Sequence, residues 1–293
     1  MDKNNQDIID ALARLSEIEL QQQKLEQEYN YLQDKIHLAF DSNKYQTVEA
    51  EKHIISNFWA QAYGKYLDGG YITNDPFIVD ARFKYEKVTI DSFIRQYANG
   101  YKTCLDVGCG NGRYTKFLAE TFSRCIGIDL SEQRIADNKA ENTLGNVEYQ
   151  CCDISNSSKL VENGYDFIFI GDIFMYTHES NVEELFKLLV SLLSENGILL
   201  IRESTLLQGK ENYRSKNYVA YYRNFKFYCS SIFERHLIHH QRNYSYNLYH
   251  LKKYFNVHQQ HSAVLDNPEL LNTIVPDYLP NEVRTGHFFL YKK

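Results

Sequence analysis

The run Cys104-Leu105-Asp106-Val107-Gly108-Cys109-Gly110-Asn111-Gly112-Arg113 constrains the fold more than any other part of the chain. An apolar stretch ends in an acid, and glycine then recurs at every second position before a helix-forming segment. A strand that turns into a helix with its backbone against a nucleotide-like ligand needs this pattern. Glycine accepts positive φ, carries no Cβ to bar the approach, and leaves the first N–H groups of the helix open to the ligand. The dinucleotide fingerprint G-x-G-x-x-G fits only in part. Gly108 and Gly110 match, but Arg113 holds the third position and Gly112 falls one residue early. Asp106 also stands where a dinucleotide-binding strand stays apolar.

From residue 101 strands and helices alternate. Strands are predicted at 102–107, 124–129, 147–152, 165–171 and 198–203, with two more near 254–260 and 286–292. Helical patterns fall at 112–122, 131–142 and 181–195, the last opened by Ser180 and Glu183 as a capping box. Such alternation predicts an α/β fold, a doubly wound and mostly parallel sheet whose ligands bind at the carboxyl ends of the strands.

Two segments precede it. Residues 1–40 form an N-terminal helix. Its positions Ile8, Ala11, Leu15, Ile18, Gln22, Leu25, Tyr29, Leu32, Ile36 and Ala39 alternate spacings of three and four. That is a heptad seam suited to a coiled coil, through which residues 8–39 would form a homodimer or dock a partner, unless the helix packs back on its own domain. Residues 41–100 are helical and rich in aromatics, with a break at Asp68-Gly69-Gly70. The remaining 101–293 form the main domain. At 293 residues and 43% hydrophobic, the chain suffices for one large core with additions. No stretch approaches the roughly 20 apolar residues of a membrane span. Six cysteines without C-x-x-C spacing predict reduced thiols in a cytoplasmic protein. No cluster of metal ligands stands out.

The glycine loop and its acid, followed by Asp129, Asp153 and Gly171-Asp172 at successive strand ends, resemble the motifs of class I S-adenosylmethionine-dependent methyltransferases. The resemblance covers residues 100–205, supported by 286–293 as the antiparallel last strand of a seven-stranded sheet. It implies S-adenosylmethionine as cofactor, with Asp106, Gly108, Cys109, Gly110 and Asn111 at its methionine end. Asp129 would accept both ribose hydroxyls, with Leu130 beside it, and Asp153 and Ile154 would meet the adenine. Gly171, Asp172 and Ile173 would face the methyl group. The segment before the first strand would lie over the cofactor, making Trp59, Tyr63, Tyr66, Tyr71 and Arg82 contact candidates. A hydroxyl acceptor also needs a base. His178 leads as catalytic base and Asp172 rivals it, with Glu203 and His287 behind. Gly171-Asp172-Ile173-Phe174 lacks the [DN]-P-P-[YF] pattern of enzymes that methylate base amines, which argues against DNA or RNA N-methylation.

The stretch 205–253, expected as a substrate cap, carries nine Lys/Arg against two acids and many tyrosines. It predicts a small-molecule or glycan acceptor of anionic character, methylated at oxygen. Interleaved basic and aromatic residues also suit RNA, the second reading, and a non-catalytic cofactor-binding scaffold that oligomerises through the N-terminal helix is the third. His236, His239 and His240 are expected to share a helix face.

Overall fold

The computed structural model describes residues 48–62, 75–154, 163–215, 218–248, 250–251, 266–279 and 283–293, together with Arg14, Glu17, Gln21, Lys24, Leu25 and Glu28. Those six are helical and exposed. The rest of the expected coiled coil, the strand expected near 254–260, and Tyr63, Tyr66 and Tyr71 lie outside the described residues.

Helix α1 (Val48–Ala62) and helix α2 (Pro76–Tyr97) come first. Pro76 opens α2 at a position where no N–H is needed, and Asp75 caps it by accepting from the Phe77 amide. Strand β1 (Thr103–Val107), helix α3 (Arg113–Leu118), β2 (Arg124–Asp129), α4 (Glu132–Glu141), β3 (Val147–Cys151) and β4 (Tyr165–Gly171) follow. Then come α5 (Val182–Leu192), β5 (Leu193–Leu206), β6 (Glu211–Ser215), β7 (Tyr218–Asn224), β8 (Leu237–Asn243), α6 (Leu271–Tyr278) and β9 (Arg284–Lys292).

The spatial order β3-β2-β1-β4-β5 is parallel throughout, and β9 then pairs antiparallel with β5 and β8. This is the expected seven-stranded doubly wound sheet. The β6–β7 hairpin adds two strands at one corner. β4 pairs with β5 as far as Gly171↔Arg202, and β7 takes up the vacated edge at Thr205↔Arg223 and Leu206↔Asn224.

Two cores follow from strand alternation. Cys104, Phe167, Phe169, Leu200, Phe288 and Leu290 face α2 and α3, while Leu105, Ile168, Ile170, Leu199, Ile201 and Phe289 face α5. Strands buried on both faces explain the near-continuous apolar runs of β4 and β5.

Three expectations are corrected. β8 lies within 205–253, expected as a substrate cap, and supplies a strand of the sheet instead. His239 and His240 therefore lie on a strand, with their side chains on opposite faces, rather than on a helix. The capping box at Ser180 does not form. His178 caps a short 3-10 turn instead, and Asn181 precedes α5 without a side-chain cap.

Candidate active site

Parallel β1 and β4 are neighbours whose following segments leave in opposite directions, so the crevice at their carboxyl ends is the switch point of the sheet. Asp106, Gly108–Asn111, Asp129–Leu130, Asp153–Ile154 and Gly171–Ile173 all stand at the carboxyl ends of β1, β2, β3 and β4, which are adjacent in the sheet.

The glycine loop is pinned by the Gly108 and Cys109 amides, which both donate to Ile128 O (2.8 and 2.9 Å). Gly108 has φ +73°, and a Cβ there would lie 2.5 Å from Ile173 Cδ1, so the loop and the β4 end meet at van der Waals distance. At Gly110, φ +54°, a Cβ would meet nothing within 4 Å, and the loop opens toward a space beside the strand ends. Asp129 is half-buried and ties this loop to the next helix. Its Oδ2 accepts from Gly110 N and its Oδ1 from Ser131 N, both at 2.9 Å. Asn138 Nδ2 donates to Gly110 O (2.8 Å), and Asn111 Oδ1 accepts from Arg113 N. Cys109 is buried beside Asn138, whereas Leu130 stands 58% exposed.

Asp106 is buried below the loop and accepts from Thr115 Oγ1 (2.5 Å). Burial raises its pKa to about 7. The Thr115 hydroxyl and Arg202 oppose the shift, and Asp129 adds to it.

Asp172 closes β4 in the left-handed region, φ +54°, a conformation that costs a non-glycine residue energy and needs support from its surroundings. Its carboxylate has that support. Oδ2 accepts from Arg82 Nη2 and Arg202 Nη2, both at 2.9 Å, and Oδ1 accepts from Ser204 N (3.0 Å), Ser204 Oγ and Tyr246 Oη (2.5 Å). Glu86 completes a buried quartet by accepting from Arg82 Nε (3.0 Å) and Arg202 Nη1 (2.7 Å). Arg82 is thus tied to the site through Asp172 and Glu86. Glu86, Arg202 and Tyr246 were not anticipated from the sequence.

The segment after β4 is braced from both sides. Glu203, fully buried, accepts from Phe174 N (3.0 Å) and Met175 N (3.2 Å), and Arg223 donates to Phe174 O and Thr177 O, each at 2.7 Å. Burial holds the Glu203 carboxyl well above the usual range, with Asp172 adding to the rise and Arg223 opposing it. This brace presents Tyr176 to Trp59 and Tyr218, whose ring centroids lie 5.6 and 5.9 Å away, both edge-on. α1 thus meets the site through Trp59 and Phe58, and through Glu51, which accepts from the Tyr221 hydroxyl.

Neither leading base candidate is poised for proton abstraction. Asp172 accepts from two guanidinium groups and three further donors, so both of its oxygens are already engaged. His178 Nδ1 accepts from Ser180 N (3.2 Å) and lies 2.8 Å from Ser180 Oγ, so the neutral ring carries its proton on Nε2. His287 is buried against Phe225 with Nδ1 2.7 Å from Thr205 Oγ1. Burial first, then His240 and Arg242, lower its pKa to about 3. Among the described basic residues of 205–253, three lie apart. Arg223 points inward, Arg242 donates to Thr285 Oγ1, and Arg235 lies by Phe186 at the opposite end of the sheet. Among the described residues no group of three or more His, Cys, Asp or Glu could hold a metal ion, and no helix is long and apolar enough to cross a membrane.

The sheet order, the glycine loop and the acids at the strand ends define a class I S-adenosylmethionine-dependent methyltransferase domain. Residues 104–197 match the family profile described as "Methyltransferase domain". Phosphoethanolamine N-methyltransferase 1 of Triticum aestivum is 28% identical over 195 residues, 64% of this chain and 37% of its own length. Phosphoethanolamine N-methyltransferase 3 of Arabidopsis thaliana is 30% identical over 192 residues, 64% of this chain and 38% of its own length. The chain thus spans well under half of these curated relatives. Phosphoethanolamine N-methyltransferase 1 of Haemonchus contortus, solved with phosphoethanolamine and S-adenosylhomocysteine, superposes with a TM-score of 0.57. It is 19% identical, covering 85% of this chain and 50% of that one. A Burkholderia thailandensis 1,6-didemethyltoxoflavin N1-methyltransferase gives 0.56 at 14% identity, covering 85% and 91%. At these identities the two structures establish the fold.

Proposed function

We propose that the chain transfers a methyl group from S-adenosylmethionine to the amine nitrogen of a small-molecule acceptor. The observation that carries the cofactor is the cradle at the switch point. It consists of a loop open to space at Gly110, flanked by the carboxylates of Asp106 and Asp129. When bound, the cofactor supplies a methyl group already activated by its sulfonium. The protein's part is to bind, align and exclude water. Asp129 takes the ribose hydroxyls, Leu130, Asp153 and Ile154 surround the adenine, and the backbone of Gly108–Asn111 with Asp106 receives the methionine end. Gly171, Asp172 and Ile173 border the methyl group, and Arg82 acts by holding Asp172.

The engaged state of Asp172 and His178 favours nitrogen over the oxygen acceptor expected from sequence. A neutral amine carries a lone pair without prior proton removal, whereas a hydroxyl needs a base. The rings of Trp59, Tyr176 and Tyr218, gathered on the segment after β4, suit the body of a small organic amine. The phosphoethanolamine N-methyltransferase relatives point the same way. Among the described residues Arg223, Arg235 and Arg242 point to different parts of the molecule, which favours the small-molecule reading over RNA. Six free thiols agree with action in the cytoplasm.

Calorimetric titration with S-adenosylhomocysteine tests the cofactor, and transfer of labelled methyl to phosphoethanolamine and ethanolamine tests the acceptor. Absence of S-adenosylhomocysteine binding would overturn the reading.

Asp106 gives an independent check. With a pKa of about 7 it is largely protonated in the free protein at pH 6.5, and an approaching cofactor ammonium favours its charged form. Binding at pH 6.5 is therefore expected to release up to about one proton, and affinity to rise with pH up to about 7 and level off above it. Calorimetry in buffers of differing ionisation enthalpy measures that proton. Asp106→Asn is expected to bind more weakly and release none.

A further inference from the structure

Tyr246 stands apart among the hydroxyls near the strand ends. Those of Tyr176 and Tyr218 lie 3.1 Å from each other, Tyr114 donates to Glu86, and Tyr221 to Glu51. Tyr246 alone donates to Asp172, at 2.5 Å, and its oxygen accepts no hydrogen bond in return among the described residues. The residue as a whole is half-buried, at the carboxyl end of the sheet beside Asp172.

The surroundings hold Tyr246 in place with unusual care. It lies in the 3-10 turn Tyr244–Asn247 after β8, and Asn243, Ser245 and Asn247 beside it are fully buried. Asn243 Oδ1 accepts from Ser245 N (3.1 Å), Asn247 Nδ2 donates to Arg284 O (3.0 Å), and Asn247 Oδ1 accepts from Thr285 Oγ1 (3.0 Å). The phenol ring has the Arg82 guanidinium 4.5 Å from its centroid. Its other neighbour is Gly286 on β9, where a Cβ would fall 2.1 Å from Tyr246 Cδ2. Only glycine at 286 leaves the ring where it is. A turn braced by three buried polar residues, with a strand residue reduced to glycine, is how a side chain is preorganised for a task.

We propose that Tyr246 is the residue that receives the acceptor nucleophile. Its hydroxyl, turned by Asp172, accepts an N–H hydrogen bond from the acceptor and so orients the nitrogen lone pair toward the methyl group. This assignment rests on the function proposed above. In the transfer the N–C bond forms as the C–S bond breaks, the bonding pair stays on sulfur, and the surplus N–H proton leaves to water. Tyr246 keeps its own proton on Asp172 throughout, so Asp172 is a positioning residue.

The test is Tyr246→Phe, which retains the ring over Arg82 and against Gly286 and removes the hydroxyl alone. Phosphoethanolamine is the probe, titrated by calorimetry with S-adenosylhomocysteine present and assayed for methyl transfer. The expected result is about a ten- to hundredfold loss of phosphoethanolamine affinity and of kcat/KM. S-adenosylhomocysteine affinity is expected to stay within about twofold, with Tm preserved. Gly286→Ala, which displaces the ring but keeps the hydroxyl, is expected to reproduce the loss. Wild-type affinity and turnover in Tyr246→Phe would overturn the assignment alone, as would an equal loss of S-adenosylhomocysteine binding, which would mark Tyr246 as a support for Arg82. A wild-type protein that binds S-adenosylhomocysteine but neither phosphoethanolamine nor ethanolamine would overturn the amine reading and this assignment together.

Discussion

Replacing Glu86 with glutamine is expected to cost about 3–5 kcal/mol of folding stability at pH 7, the range seen when one partner of a buried ion pair is removed. Glu86 is fully buried and takes five donors: Arg82 Nε, Arg202 Nη1, the Tyr114 hydroxyl, Asn243 Nδ2 (2.8 Å) and Ser245 Oγ (3.0 Å). With Asp172 it balances the two guanidinium groups, so glutamine leaves one positive charge uncompensated in the core. It also turns an acceptor toward donors as an NH2 group. These five donors come from α2, α3, β5 and the end of β8 with its following turn, so the loss is expected to be cooperative rather than local. The pH dependence follows from the same contacts. Burial alone would raise the Glu86 pKa, but Arg202 and Arg82, with the Tyr114 and Asn243 hydrogen bonds, bring it down to about 2 from an ordinary 4.5. A carboxyl depressed in the folded state contributes stability above its unfolded pKa and loses it as pH falls through the folded one. The wild-type advantage over Glu86→Gln should therefore be full at pH 7 and shrink as pH falls from about 4.5 toward 2. Urea unfolding at pH 7 and pH 3 measures both. A variant within about 1 kcal/mol of wild type at pH 7 would show that the quartet does not hold the fold together.

The legibility of this chain divides along the same line. Hydrophobic periodicity revealed β1, β2, β4, β5 and β9, because strands buried on both faces write near-continuous apolar runs, and β3 by its alternation. The spacing of Gly108, Gly110 and Gly112 announced a close approach of backbone, and Asp129 followed at the right distance. β8 stayed hidden. Leu237–Asn243 is an edge strand bearing His239, His240, Gln241 and Arg242, and an edge strand has little need to be apolar. The quartet was half-visible. Arg202 interrupts the run Ile198–Ile201 in a strand otherwise fit for the core, which signals a charge buried with a partner. Arg82 and Glu86 are four apart on α2, the spacing of one helix face. What the sequence could not supply was their convergence on Asp172 from segments 30 and 90 residues away. Tyr246 was one of 24 tyrosines, and its bond to Asp172 and the room left by Gly286 emerge only in the fold.

Asp129 offers the sharpest separation of binding from folding. Its carboxylate bonds Gly110 N and Ser131 N, a geometry that could serve only to shape the turn. A pure cap would fit that description, yet the side-chain cap of α4 is already Ser131, whose Oγ accepts from Arg134 N (3.3 Å). The charge on Asp129 is then unexplained by local structure, and two ribose hydroxyls are the donors it is expected to meet. Charge-assisted hydrogen bonds contribute about 1.5–3 kcal/mol each, so Asp129→Ala is expected to lower S-adenosylhomocysteine affinity by about a hundredfold to ten-thousandfold. Folding should suffer less, by about 1–2 kcal/mol, because the Gly110 and Ser131 amides stand half-exposed where water can replace the carboxylate. Calorimetry and urea unfolding on the same variant separate the two effects. If stability falls while affinity holds, Asp129 is a turn residue and the ribose lies elsewhere. If affinity falls far more than stability, the second acid of the series binds the cofactor, and the loop opened at Gly110 is the cradle that the carboxylate keeps in shape.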